Sequence, residues 1–517
     1  MQYKKIVSAL TLAGLASSPT FALANDSTEL EELRALVQEL DQKVKVLARK
    51  NEVAEEDAVN SKKSTPIVKA STSGFSLGSA DGKNEIKFRG LLQADHRHYF
   101  DGANDVRNRS NIRAGSLDEN GFHDAEDTSL LRRVRPTIEG KVAGIYGFRF
   151  TPEFAGGSAS VVDAYVDANL NPAFKIRAGK QKSIVGLERL QGGGDIKFIE
   201  RSYVTNAILP NRDLGVTVSG DVLDNKLSYG IGIVNGVNDG GNISTGTEYN
   251  GAREYTARIF ATPFNDSTSA LAGLGFGIGA TWTDYTGERN LDFTGTTAAD
   301  ATRNGLPSYV TDGQQTFFRY NSAALADGKR FRVSPQANYY YGPFGLIAEY
   351  ARVDQDVSLL TSTTSNTNTV ISAGTNQKLS HDAWQVAVSY LLTGEDASFK
   401  GVKPNRDFDL DKGGWGAWEF VARYTELNLD DDTFKNPAGT AFTGAYADLS
   451  TSAKSAKSWV AGVNWYLNSN AKVALNYSHT SFDGGAGVGI TAVNAAGTNI
   501  SDRESEDALL ARLQVAF

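Results

Sequence analysis

About sixteen segments of this chain alternate apolar and polar residues with period two, and the connections between them are by turns short and long. They fall near 87–99, 130–142, 146–154, 161–170, 174–180, 215–221, 227–235, 255–264, 273–284, 332–341, 344–354, 383–392, 416–427, 459–467, 473–480 and 507–517. In 416–427 Trp418, Phe420, Ala422 and Tyr424 share one face, with Glu419, Arg423 and Thr425 on the other. In 471–480 Val473, Leu475 and Tyr477 oppose Lys472, Asn476 and Ser478. Strands of this kind have one oily and one wet face. The glycine-rich run 273–282 sets Leu274, Phe276, Ile278 and Trp282 on one face; it lacks GxGxxG spacing and no helix follows, so it reads as a strand rather than a nucleotide loop. Asn171-Pro172-Ala173, Asp224-Asn225-Lys226, Gly342-Pro343 and Asn468-Ser469-Asn470 are tight turns, whereas 101–129, 181–214, 285–331, 355–382, 428–458 and 481–506 are long.

An even strand number, segments of about ten residues and this loop asymmetry are the pattern of an outer-membrane barrel. A soluble sandwich also alternates, and the last segment decides between them. Leu509, Ala511, Leu513, Val515 and Phe517 share one face and Arg512 and Gln514 the other. In a soluble protein that strand is an exposed sticky edge; in lipid the barrel closes on itself, because every backbone polar group must be paired within the protein. A mean hydropathy of −0.32 and the lack of long apolar runs beyond the first two dozen residues exclude a bundle of membrane helices. The chain has no cysteine, which removes disulfide scaffolds, zinc-thiolate sites and cysteine nucleophiles. A formal net charge of −8 argues against nucleic-acid binding.

The amino end is different material. Lys4 and Lys5, the apolar stretch Ile6 to Leu15 and Ala22-Leu23-Ala24 compose a secretory signal peptide over 1–24. In 25–60 Leu30, Leu33, Val37, Leu40, Val44 and Leu47 follow the a/d repeat of a coiled coil, with polar Asn51 at the next a position. Ser27 and Thr28 followed by Glu31 supply an N-cap and its capping-box partner. Residues 61–84 read as a linker, which leaves 85–517 for the barrel. The fold expected is all-β, a 16-stranded antiparallel transmembrane barrel preceded by an α-helical coiled-coil segment.

A barrel of about sixteen strands is wide enough for an aqueous channel. Its inward positions carry charge: Arg133, Arg135, Glu139 and Lys141 in one strand, Arg149 in the next, then Asp163, Asp167, Lys175 and Arg177. Singly, each reads as part of a salt-bridged wall; together they indicate a pore.

From Leu131-Arg-Arg-Val-Arg-Pro-Thr-Ile-Glu-Gly140 onward the chain resembles the phosphate-selective porin O/P family. The resemblance continues through Val162-Asp-Ala-Tyr-Val166, Arg177-Ala-Gly-Lys180, Gly186-Leu-Glu-Arg-Leu-Gln191, Glu200-Arg201 and Arg212-Asp-Leu-Gly215, and returns in Leu392-Thr-Gly-Glu395, Gly414-Trp-Gly-Ala-Trp-Glu419, Asn464-Trp-Tyr-Leu467 and Arg512-Leu-Gln-Val-Ala-Phe517. It implies a trimeric sixteen-stranded channel whose third long loop, here 181–214, folds inward to narrow the pore. By motif, Arg132 and Arg133 match paired arginines near the constriction, Arg189 and Arg201 match basic loop positions, and Asp163 matches an acidic pore residue. The forked guanidinium suits an oxyanion, and rings of Arg and Lys select anions. Arg133, Arg189, Lys197 and Arg201 are expected to set ion preference together, with Arg135 beside them.

Two departures stand out. Arg132 and Arg133 are adjacent, so a regular strand turns only one of them inward. The phase of Glu139 and Lys141 chooses Arg133 and Arg135, and Arg132 must snorkel, sit at a subunit interface or occupy a bulge. Phosphate-specific relatives also carry a run of arginines in the fifth long loop, whereas 285–331 holds only Arg289, Arg303, Arg319, Lys329 and Arg330, mixed with acids. Loops 101–129 and 481–506 are net acidic, which repels anions near the mouth.

His96 and His98 share a strand face without an evident third ligand, and no catalytic motif is present, so neither metal, cofactor nor enzyme activity is expected. The expectation is a homotrimeric porin in the outer membrane of a Gram-negative bacterium, set among lipid and lipopolysaccharide, with its coil in the periplasm. It passes small hydrophilic solutes, with preference for anions such as phosphate or polyphosphate; the alternatives are a weakly selective pore and a structural tether from the coil to the cell wall.

Overall fold

The computed structural model describes residues 26–72, 74–100, 104–105, 123–124, 126–243, 251–287, 304–365, 368–373, 376–437, 445–485 and 502–517. The signal-peptide reading and Arg289 and Arg303 lie outside these residues.

Residues Asp26–Ser64 form one helix, α1, in a compact unit of its own. Leu33, Val37, Leu40, Val44 and Leu47 of its apolar stripe are all exposed within the single chain.

The second unit is a closed barrel of sixteen antiparallel strands: β1 (Glu85–Tyr99), β2 (Thr128–Val142), β3 (Tyr146–Glu153), β4 (Ser160–Asn171), β5 (Phe174–Lys182), β6 (Arg212–Val222), β7 (Leu227–Val234), β8 (Glu254–Ala261), β9 (Leu274–Thr286), β10 (Ala324–Tyr341), β11 (Phe344–Ser365), β12 (Gln377–Leu391), β13 (Ala417–Asn428), β14 (Ser455–Tyr466), β15 (Ala471–Asp483) and β16 (Glu506–Ala516). Each pairs with the next, and β16 returns to β1 from Ala508↔Tyr99 to Ala516↔Leu91. All sixteen expected segments are strands. The wall is inside out. Phe276, Ile278, Phe420, Leu475 and Leu513 are exposed outward, while Gln93, Arg332, Gln385, Asn464 and Arg512 are buried inward. Trp418–Trp465 and Trp459–Tyr477 pair at two levels of the outer face, the aromatic girdles of a membrane band.

Three parts differ from expectation. β10, β11 and β12 run well past their alternating stretches, and Asn368–Ala373 extends the ladder against β11. Beyond the lipid the outer face need not be apolar, so the hydrogen-bonded ladder continues after the periodicity stops. The segment 61–84, read as linker, holds a hairpin, Ile67–Ser71 and Gly74–Gly78, whose second strand pairs with β1 from Phe75↔Phe88 to Gly78↔Glu85. β16 reaches only to Leu91, so the hairpin takes over the part of the β1 edge left open below it. Gly74 turns the hairpin at φ +104°, a conformation that side-chain-bearing residues rarely adopt.

The third difference lies in the lumen. The wall's inward face is too polar to fill it, yet the loops bring an apolar mass of their own. Val204–Ile208 from the third long loop and the hairpin Ser308–Val310 and Thr316–Arg319 from the fifth pack Tyr203, Ile208, Leu209, Tyr309, Phe317 and Phe318 against Val353, Leu379 and Leu427 of the wall. One sector of the barrel is therefore solid.

Candidate functional site

The third long loop, 183–211, must satisfy its backbone polar groups inside the barrel. Inward side chains of seven strands do so, and an eighth strand, β12, holds a side chain of the loop. Gln336 on β10 donates to the Val185 carbonyl at 2.8 Å, and Glu349 on β11 accepts the Leu187 N–H at 2.7 Å. Gln385 on β12 donates to the Glu188 carboxylate at 3.2 Å, and Arg423 on β13 to the Glu200 carbonyl at 2.8 Å. Asn464 on β14 reaches the Lys197 carbonyl, Asn476 on β15 accepts the Ile199 N–H, and Gln514 on β16 and Gln93 on β1 hold the carbonyls of Gly194 and Gly193. The loop is thus pinned along half the wall, and the sector of β2 to β6 stays open.

Two cavities occupy that sector. One of about 880 Å³, toward the long loops, is lined by Arg132, Arg133, Arg135, Lys180, Lys182, Arg189, Arg201 and Arg212, with Glu153 as its acid among the described residues. The other, about 710 Å³, lies toward the short turns and adds Arg89, Arg149 and Arg177, with Asp163 and Asp195. They share Arg135, Lys182, Gly193 and Arg212, so the lining is continuous past the loop.

The cations differ in what holds them. Arg135 pairs with Glu153 at 2.5 Å, Arg212 with Asp163 at 2.9 Å and Arg177 with Asp167 at 2.6 Å. Arg133, Arg189 and Arg201 are each more than nine-tenths buried and have no carboxylate partner among the described residues. Arg133 donates to Gln93 at 2.5 Å, Arg189 to the Thr205 carbonyl and Arg201 to the Gln191 carbonyl at 3.0 Å, and the Nε of all three is unpartnered. Among the described residues Lys180 and Lys182 likewise reach carbonyls, Lys180 that of Ile243 and Lys182 those of Leu190 and Gln191. Burial pushes Arg201 down to about 10, opposed by Glu188 and reinforced by Arg212 and Arg135; it stays protonated at neutral pH, with its charge poorly compensated. Burial likewise pushes Arg189 down.

Of the residues singled out from sequence, Arg132, Arg133, Arg135, Arg189 and Arg201 meet at the upper cavity, and Asp163 lines the lower one. Lys197 does not join them: it lies on the far side of the loop, 2.9 Å from Glu419 on β13. The sequence places it among the loop's charges, but the wall contact turns it away. Lys180, Lys182 and Arg212 were not singled out. Their signal is position, since they stand at the two strand ends from which the inward loop departs and returns. Of the three places its phase left open, Arg132 occupies a bulge: Gln93 pairs with Arg133 and Ala94 with Leu131, which leaves Arg132 between them. In the fifth long loop and the strand after it, Arg330 and Arg332 are spent on Glu254 and Asp239.

Comparison with curated proteins gives no match. Among solved structures the chain is similar to the outer-membrane channel DcaP of Acinetobacter baumannii, at 12% identity and a TM-score of 0.48 over 86% of this chain and 100% of that one. It is similar to an anion-selective porin from Comamonas acidovorans, at 11% identity and a TM-score of 0.46 over 84% and 100%. It is also similar to OmpT of Vibrio cholerae in trimer form, at 12% identity and a TM-score of 0.44 over 84% and 99%. The family model of phosphate-selective porin O and P matches residues 106–517, which takes in every barrel strand after the first. The chain therefore belongs to the phosphate-selective porin O and P family, and its barrel is an outer-membrane channel.

Proposed function

We propose that this channel carries small hydrophilic solutes by passive diffusion and favours anions, phosphate or polyphosphate among them. One observation carries the reading: three buried guanidinium groups without a carboxylate line a single cavity on the open side of the lumen. A charge buried without a counter-ion is costly, and a passing anion supplies the missing partner. Several cations in series keep each stop shallow, as conduction requires. In planar bilayers under a salt gradient, the reversal potential is expected on the anion side, with chloride current blocked by added phosphate. A reversal potential near zero with no block would favour a weakly selective pore.

The chain also reads as a homotrimer in which α1 forms a three-stranded periplasmic coil. The exposed heptad stripe of α1 supports this, since an uncovered apolar seam on a helix is relieved by pairing with copies of itself. Removing residues 26–64 is expected to leave single-channel conductance unchanged and to lower the temperature at which oligomers dissociate in detergent. Unchanged dissociation together with a detached envelope would point to a tether instead.

A further inference from the structure

The adjacent arginines of β2 are used in different ways. Arg133 keeps its Nε unpartnered and, among the described residues, hydrogen-bonds Gln93. Arg132, the extra residue of the bulge, places Nε 2.7 Å from Oε1 and Nη2 3.0 Å from Oε2 of Glu200, a two-pronged pair. Arg97 of β1 adds a third donor, 2.8 Å from Glu200 Oε1. Burial works against the charge of Glu200, but Arg132, Arg97 and Arg512 outweigh it and hold its carboxyl well below the usual range. Across the lumen, the Glu200 carbonyl accepts Nη1 of Arg423 on β13 at 2.8 Å. Glu200 is thus gripped from both sides of the barrel, by its side chain from β1 and β2 and by its backbone from β13.

The next residue is Arg201, one of the three cations without a carboxylate. Its place over the open sector follows from where Glu200 is held. A bulge forfeits regular pairing in the ladder. Here it brings inward a side chain that the strand's phase would otherwise aim at lipid.

We propose that Arg132 and Glu200 form a latch that fixes the third long loop against β2 and so sets the width of the constriction, with Arg132 a positioning residue rather than an anion ligand. The latch rests on the anion reading only for its effect on selectivity; its effect on pore width stands apart.

The test compares R132Q and E200Q in the full-length chain, reconstituted in planar bilayers with inorganic phosphate as blocker. If the pair is a latch, both changes act in one direction. Each raises single-channel conductance by about twofold, because the constriction is the narrowest resistance. Each weakens phosphate block by about tenfold, and the double variant goes no further than the stronger single one, as expected of partners in one interaction. R132K keeps the charge but loses the fork, and a smaller shift of the same sign is expected; it also stands in if either glutamine variant does not fold. Two results would overturn the latch. One is block weakened by R132Q but tightened by E200Q at unchanged conductance, which would make Arg132 a ligand restrained by Glu200. The other is unchanged conductance in all variants. Absence of phosphate block in the wild type would sink the anion reading alone, since the conductance comparison still decides the latch.

Discussion

Replacing Arg133, Arg189 and Arg201 together by glutamine is expected to abolish phosphate block and move the reversal potential from the anion side toward the cation side. Each side chain is buried, lines the same cavity and lacks a carboxylate. A hydrogen bond to a charged group is worth about 1.5–3 kcal/mol, so each single change should raise the half-blocking phosphate concentration by about 10- to 100-fold. The three effects should fall short of additive, because the residues serve the same ion. Glutamine keeps a polar side chain of somewhat smaller volume, so conductance in potassium chloride should change far less than selectivity. Salt separates this site from the acidic loops at the mouth. Charges at an exposed mouth are screened within about 3 Å at 1 M salt, whereas buried ones are screened much less. Anion preference should therefore persist in concentrated salt in the wild type and vanish in the triple variant. Block retained by the triple variant would move the site to Lys180, Lys182 and Arg212.

How far the sequence reaches follows from what the membrane demands. Lipid requires an apolar outer face, so Phe420, Ala422 and Leu475 alternate with buried polar residues and all sixteen strands are legible. Where that demand ends, so does the signal: β11 runs to Ser365 and the hairpin at 67–78 reads as a linker, although both are held in hydrogen-bonded ladders. The phase argument finds Arg132 out of step with its strand and offers a bulge as one of three outcomes, but its partner Glu200 depends on the path of a loop that no periodicity describes. The same blindness puts Lys197 beside Arg201, when the loop sets it against Glu419. The solid sector left a trace that is clear only afterwards. Phe317, Phe318 and Tyr320 in one long loop, and Tyr203, Val204, Ile208 and Leu209 in another, are too apolar for segments facing water.

At the tip of its hairpin that solid sector carries a buried ion pair to the wall, and Asp312→Ala is expected to loosen it. Asp312 sits at the tip of the fifth-loop hairpin, 3% exposed. Its Oδ1 accepts Nη2 of Arg423 at 2.6 Å, and its Oδ2 accepts the hydroxyls of Ser458 and Ser478 at 2.8 and 3.3 Å. Arg423 is buried as well, and its other prong holds the Glu200 carbonyl. Removing one partner of a buried ion pair costs about 3–5 kcal/mol, and because Arg423 keeps Glu188 at 3.8 Å the lower end applies. The barrel's closed ladder does not depend on this pair, so the loss should appear as local opening of the fifth loop rather than unfolding of the wall. Trypsin reads that opening at Arg319, the exposed end of the hairpin. When opening is fast relative to cleavage, about 3 kcal/mol corresponds to about 100-fold faster cutting. The wall spectrum should be unchanged, and single-channel records should show a larger, flickering conductance as the hairpin leaves the lumen. Asp312→Asn keeps one acceptor for Arg423 and should fall between the two. Equal trypsin rates and identical conductance in wild type and Asp312→Ala would mean that the aromatic contacts of Phe317 and Tyr309 hold the hairpin without the ion pair.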